Sequence, residues 1–257
     1  MEILIPVIIV AVISLIVGIG LSLASKYMSV PVDEKQEKIR ECLPGANCGA
    51  CGYSGCDGYA AAIASGEATP DKCAPGGSST AEALAEILGV SVDIVPKTAF
   101  IACSSIKGRA KKKYDYSGMM SCSAVSLLQG GPIECENGCV SLGDCYKACP
   151  FGAITMTENG PYVCEDICSG CGVCVASCPR NVIKLVPKGS VRVRCNNRFK
   201  GALAAKDCLD SCIGCKLCEK NCPNGAITVE ENLAVINYEL CDSCGKCKEV
   251  CKRNIFV

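Results

Sequence analysis

Two stretches near the end of the chain, CIGCKLCEKNCPNGAITV at 212–229 and CDSCGKCKEVCKRNIFV at 241–257, decide how the sequence folds. Each spaces its cysteines C-x2-C-x2-C-x3-C. Three thiolates at that spacing can wrap one face of a cubane iron–sulfur cluster, while the fourth, past a turn, points away and completes a second cluster. Crossing the assignments gives Cys212, Cys215, Cys218 and Cys251 for one [4Fe-4S] cluster and Cys222, Cys241, Cys244 and Cys247 for the other. Zinc sites also use C-x2-C units, but zinc does not require the three-plus-one pattern. Pro223 follows Cys222 as the run usually has it; Lys252 follows Cys251, which touches the turn and not the ligand.

Working upstream, the same unit recurs. CPFGAITM at Cys149, CPRNVIKL at Cys178, CPNGAITV at Cys222 and CKRNIFV at Cys251 each pass from a cysteine turn into a short β-branched run. The residues 154–156, 227–229 and 234–238 read as strands. Four half-units make two tandem modules resembling bacterial ferredoxins, at 135–190 and 191–257. The earlier module has one regular half, Cys168, Cys171, Cys174 and Cys178, and one irregular half in which Leu142 stands where a cysteine is expected. Cys135 is the natural substitute. The expected clusters are Cys135, Cys139, Cys145 with Cys178, and Cys149 with Cys168, Cys171 and Cys174.

A third constellation is of another kind: Cys48-x2-Cys51-x4-Cys56-x16-Cys73 within a Gly-rich block. Gly49, Gly52 and Gly55 let the backbone bend around a cluster and bring N–H groups to its sulfurs. Zinc is the competing occupant. The total is five [4Fe-4S] clusters, with a sixth left open.

Composition agrees. The 257 residues include 26 Cys but only 4 Phe, 8 Tyr, no Trp and no His. The lack of His removes His-ligated haem, Rieske centres and a Ser-His-Asp triad. Zero net charge offers no global electrostatic case for nucleic acid.

Residues 3–24, ILIPVIIVAVISLIVGIGLSLA, form a run of 22 without a charge. As a helix this reaches about 33 Å, enough to cross a bilayer's apolar core. The n-region lacks Lys and Arg, which argues for an uncleaved anchor rather than a signal peptide. Lys26, Lys35, Lys38 and Arg40 follow the run, so the positive-inside rule puts 25–257 in the reducing cytoplasm, where disulfides are disfavoured. The expected protein is therefore α+β: an anchor at 1–28, a four-cysteine [4Fe-4S] domain at 29–95, a connector at 96–134 and the two ferredoxin-like modules. Residues 80–88 read as a helix capped by Ser79 or Thr80 and ended by Gly89.

The uncharged run, the GANCGACGYSGCDG block, the GCVSLGDCYKACPFGAI stretch and the appended modules together resemble the B-subunit family of the Rnf complex. That complex is the ion-translocating ferredoxin:NAD⁺ oxidoreductase of bacteria and some archaea. The resemblance covers nearly the whole chain, and the family's corresponding stretch also lacks the cysteine at the Leu142 position. It implies a membrane-bound, single-pass subunit that takes electrons from soluble ferredoxin and feeds other Rnf subunits, while NAD binds elsewhere. The chain carries neither a GxGxxG fingerprint nor a Walker A loop. No catalytic acid, base or nucleophile is required here, and a span without charged residues is not itself an ion path.

Two other readings remain open: the same role in a complex that reduces a redox-sensing regulator, and a redox-silent metal scaffold. Cys42, Cys103, Cys122, Cys164, Cys195 and Cys208 are left over. They are inert buried thiols, or Cys103, Cys122, Cys195 and Cys208 hold a sixth cluster. KGRAKKK at 107–113 is a solvated loop or a docking patch for an acidic carrier or anionic lipid.

Overall fold

The computed structural model describes residues 4–27, 33–91, 95–104 and 109–257, with the side chains of 12–23 in the first segment. Helix α1 runs Leu4–Tyr27, and its apolar side chains from Val12 to Leu23 are about half exposed or more. Among the described residues no helix is long and apolar enough to cross a membrane. Much of the expected span, including the side chains of 3–11 and 24, lies outside the described residues.

Asp33 starts α2 (Glu34–Cys42) by accepting the Lys35 N–H at 3.0 Å. This charged helix buries Ile39 against α3 (Cys56–Ala64) and α4 (Gly77–Leu88), in a small core with Leu43, Tyr59, Ile63 and Leu84. The Tyr59 hydroxyl donates to the Thr69 carbonyl at 2.7 Å and accepts the Lys72 N–H at 3.1 Å. It thereby pins the turn that delivers Cys73. Helix α4 begins earlier than the sequence suggests, with Gly76 at its cap and no side-chain cap, and ends at Gly89 in the left-handed conformation, φ 67°.

Among the described residues the rest is built from short helices and three two-stranded antiparallel sheets. In the middle module β1 (Lys97–Ile101) pairs with β4 (Ile183–Pro187), Ile101 facing Ile183. The hairpin β2 (Ile154–Thr157) and β3 (Gly160–Val163) puts Ile154 opposite Val163. Helices α5 (Cys122–Ser126), α6 (Asp144–Ala148) and α7 (Val173–Ser177) complete it. The last module has α8 (Gly201–Asp207), α9 (Leu217–Asn221), the hairpin β5 (Ile227–Glu230) and β6 (Leu233–Ile236), and α10 (Lys246–Val250). Strands β2 and β5 fall on the β-branched runs at 154–156 and 227–229, and β6 covers 233–236 where 234–238 was expected; β3 was not expected. Strand β1 falls inside the stretch read as a connector, so that stretch is structured into the middle module. In the last module the outer pairing is made by Arg192 and Val257, which exchange backbone hydrogen bonds at 2.9 and 3.0 Å. Each module is thus closed by a segment arriving from upstream.

The repeat is written in the backbone. Ser141, Gly170, Gly214 and Ser243 all take positive φ, as do Gly143, Gly172, Lys216 and Gly245 two residues later. These paired left-handed residues coil each cysteine loop before its helix starts. The Leu142 half keeps this geometry although it lacks the thiol. Both module cores are made largely of cysteine packed with Ile, Val and Ala, such as Cys212, Cys218 and Cys247 around Ile227 and Ile255.

Candidate iron–sulfur centres

No disulfide joins any of the 26 cysteines, all of which are described. Among the described residues no three His, Cys, Asp or Glu side chains converge as tightly as a single metal ion demands. The thiols instead line the walls of cavities. Cys212, Cys215, Cys218 and Cys251 share one of about 320 Å³. Cys222, Cys241, Cys244 and Cys247 share one of about 290 Å³, and Cys149, Cys168, Cys171 and Cys174 another of about 320 Å³. These are the three crossed quartets that the spacing suggested. Four thiols around one small cavity, with Ile, Val, Ala or Phe side chains among the other lining groups, are the donor set a [4Fe-4S] cluster takes. The Cys168 sulfur also accepts the Ala99 N–H at 3.4 Å, an N–H···S contact of the kind that tunes cluster potential.

In the N-terminal domain Cys48, Cys51, Cys56 and Cys73 are near neighbours. Burial pushes the Cys73 thiol up, and Cys56, Cys51 and Cys48 each add to the shift. The Cys56 N–H donates to Asn47 Oδ1 at 2.9 Å. Gly55, at φ 132°, holds a backbone conformation that side chains rarely adopt, and a Cβ there would press on the same oxygen at 3.0 Å.

The irregular half departs from expectation. Cys139, Cys145 and Cys178 line a cavity of about 410 Å³ whose fourth cysteine is Cys122. Cys135 lies elsewhere, in a cavity of about 270 Å³ with Cys103, Cys195 and Cys208. The structure therefore exchanges the expected places of Cys122 and Cys135. Asp144 explains how Cys122 arrives. Its carboxylate accepts from the Ser121 hydroxyl at 3.1 Å, the Ser123 N–H at 3.0 Å and the Ser123 hydroxyl at 3.2 Å. Lys147, on the same helix α6, donates to the Met120 carbonyl at 2.9 Å. Burial raises the Asp144 pKa, but these hydrogen bonds together with the Cys122 N–H outweigh it and leave the pKa lowered. The sequence reading sets Cys122 with the sixth cluster it leaves open and not with this run, because no spacing rule links it to Cys139 and Cys145; the link is the Asp144 staple.

Burial, reinforced by neighbouring sulfurs, pushes Cys145 up to about 12 and Cys139 to about 11. Cys174 and Cys218 rise to about 11, again chiefly by burial. Such thiols hold their protons at neutral pH, so binding a metal cluster must expel them. Cys42 packs on the N-terminal core, and Cys164 sits half-buried after β3; neither lines a four-cysteine cavity described above. In the basic stretch, residues 105–108 lie outside the described set. Arg109 pairs with Asp210 at 3.5 Å, Lys112 with Asp115 at 3.3 Å and Lys113 with Glu136 at 3.7 Å, which neutralises much of the charge.

Fold and thiols together define a multi-centre iron–sulfur protein built on tandem [4Fe-4S] dicluster modules. Family models agree: one described as a putative Fe-S cluster matches 43–75, and two described as 4Fe-4S dicluster domains match 167–227 and 211–256. The chain is 42% identical over 255 residues to the B subunit of the Na(+)-translocating ferredoxin:NAD(+) oxidoreductase complex of Acetobacterium woodii, covering 98% of this chain and 77% of that one. It is 41% identical over 243 residues to the B subunit of the proton-translocating ferredoxin:NAD(+) oxidoreductase complex of Clostridium ljungdahlii, covering 93% and 86%. To the B subunit of the ion-translocating oxidoreductase complex of Methanosarcina acetivorans it is 37% identical over 238 residues, covering 91% and 90%. The chain belongs to this family, the iron–sulfur electron-transfer B subunits of Rnf-type complexes.

Proposed function

We propose that this subunit accepts single electrons from reduced ferredoxin and relays them to membrane partners in a complex that couples ferredoxin:NAD⁺ oxidoreduction to Na⁺ or H⁺ translocation. The observation that carries this reading is the crossed pairing of thiol quartets in adjoining cavities, two per module. Five quartets would each hold a [4Fe-4S] cluster: Cys48, Cys51, Cys56 and Cys73; Cys122, Cys139, Cys145 and Cys178; Cys149, Cys168, Cys171 and Cys174; and the two of the last module. Such a cluster supplies one-electron redox chemistry at a potential anywhere from about −700 to +450 mV. The chain's own part is to bury the thiolates, aim N–H groups at sulfur and leave some ligands near the surface. Cys215 and Cys244 are exposed, the remaining thiols of their quartets less so, and a surface-near ligand is where a soluble carrier can exchange an electron.

The uncharged run at 3–24 and the helical backbone over Leu4–Tyr27 support a single-pass anchor. Lys26, Lys35, Lys38 and Arg40 support a cytoplasmic side for everything after it. The functional divisions follow: anchor to 28, first cluster domain to 95, a connector to 134 that also closes the middle module, then modules to 190 and 257. The test is ferredoxin-dependent NAD⁺ reduction by the purified membrane complex. Cys218→Ala should abolish it while NADH-linked reduction of artificial acceptors by the other subunits persists. Full ferredoxin-dependent activity in that variant contradicts the reading.

A further inference from the structure

The cavity holding Cys135 is not a leftover. Its four cysteines come in two matched pairs, one from each module. Cys135 lies four residues before Cys139, the first thiol of its run, and Cys208 lies four before Cys212, the first of its own. Cys103 follows the strand that pairs with the residues after Cys178, where the Ala102 N–H donates to the Val182 carbonyl at 2.8 Å. Cys195 follows the segment that pairs with the residues after Cys251, where the Arg194 N–H donates to the Ile255 carbonyl at 2.6 Å. Both carbonyls belong to the fourth residue after their cysteine, so Cys103 and Cys195 are equivalent.

The surroundings repeat in the same way. The Cys139 N–H donates to Cys103 Sγ at 3.3 Å, and the Cys212 N–H to Cys195 Sγ at 3.2 Å. The N–H two residues on serves each remaining sulfur, Asn137 for Cys135 and Asp210 for Cys208. Arg180 donates to the carbonyls of Cys135 and Gly138 at 3.2 and 2.8 Å. Arg253, in the same place of the other module, donates to those of Cys208 and Ser211 at 3.0 and 3.2 Å. All four cysteines are only 5–7% exposed. Two donors lining the cavity, Arg194 Nε and the Nδ2 of Asn197, itself 2% exposed, are buried without a hydrogen-bond partner. Buried donors left unpaired are costly, and an anionic sulfur-rich guest would satisfy them.

We infer that Cys103, Cys135, Cys195 and Cys208 bind a sixth [4Fe-4S] cluster at the junction of the two modules, each module supplying half of the site. The inference rests on the reading of the other quartets as cluster ligands. Each half-site is hydrogen-bonded through a backbone N–H of an adjoining quartet, Cys139 on one side and Cys212 on the other. The junction therefore offers a one-electron stepping stone between the modules, reduced by one neighbouring cluster and reoxidised by the other.

The test is iron, acid-labile sulfide and zinc per chain in the anaerobically purified full-length protein, wild type and Cys208→Ala. The inference expects about 24 iron and 24 sulfide in the wild type, six times the [4Fe-4S] complement, and about four fewer of each in the variant. About 20 iron in the wild type overturns the sixth site and leaves the five-cluster reading intact, as does one zinc accompanying about 20 iron. A wild-type content of about 24 that Cys208→Ala does not lower overturns the ligand assignment. Near-zero iron would sink both readings together. The wild-type count decides even if the variant does not fold.

Discussion

The middle and last modules are copies of one plan, yet only the last draws its two regular quartets wholly from its own runs. Between Cys212 and Cys251 every thiol of both crossed quartets is present. In the middle module Leu142 has replaced one thiol, and the loop fetches Cys122 from outside the run instead. The backbone around Leu142 did not change to permit this: Ser141 and Gly143 hold the same left-handed positions as Gly214 and Lys216. The comparison teaches that the loop conformation is the constant element of the repeat, while the fourth thiol can be supplied by any segment that is stapled in place.

The largest effect should come from testing that substitution directly. Cys122→Ala is expected to cost one cluster, about four iron per chain. Adding Leu142→Cys in the same chain should restore them, because the thiol returns to the place it has in the other three halves. Iron analysis checks this, and failure of the double variant to regain iron would break the equivalence of the two modules.

Next in size is the pH dependence of loading. Cys145 is held at about 12 and Cys139 at about 11, both chiefly by burial, against about 11 for Cys218 in the last module. A raised thiol pKa means the proton is retained until higher pH, and the reactive thiolate fraction grows roughly tenfold per pH unit below that pKa. Reconstitution of cluster-free protein should therefore speed up between pH 7 and 9. Time-resolved absorbance with variant-by-variant iron analysis follows it; a flat profile would count against proton expulsion as the controlling step.

A smaller effect is expected at the staple. Asp144→Ala removes the acceptor for Ser121 and Ser123 and leaves the Cys122 segment untethered, a loss of about 1–3 kcal/mol. The thermal midpoint of the middle module should fall and that of the last module should not move, as followed by amide hydrogen exchange of each module across a temperature series. The smallest effect is at Lys216, which takes φ 61° where the other three halves have glycine. Lys216→Gly should stabilise the last module by about 1 kcal/mol through relief of the left-handed strain. Its ion pair with Glu219 at 3.9 Å is too exposed to offset that. A lower urea midpoint in this variant would contradict the strain argument.

Much of this was legible because three thiols within seven residues leave the chain few ways to turn. The crossed quartets that hold Cys149, Cys222 and Cys251, three of the four thiols in the quartet of Cys178, and the strands after Cys149 and Cys222 all follow from local spacing. Cys122 was not legible, since its link to α6 passes through a carboxylate, not through a cysteine interval. Strand β1 was hidden for a related reason: TAFIA is too short to show alternation and is a strand only because Ile183–Pro187 lies beside it. The offset shared by Cys135 and Cys208 was visible in one dimension, but two chain segments had to be folded together before it pointed to one cavity.

The central claim, that these thiol quartets carry electrons, is tested most directly by a potentiometric EPR titration of the anaerobically isolated full-length protein. The account predicts several reversible one-electron signals, at potentials within the range open to [4Fe-4S] clusters, growing in as the protein is reduced. A preparation that is colourless and silent at every potential, or loaded with zinc, would contradict it.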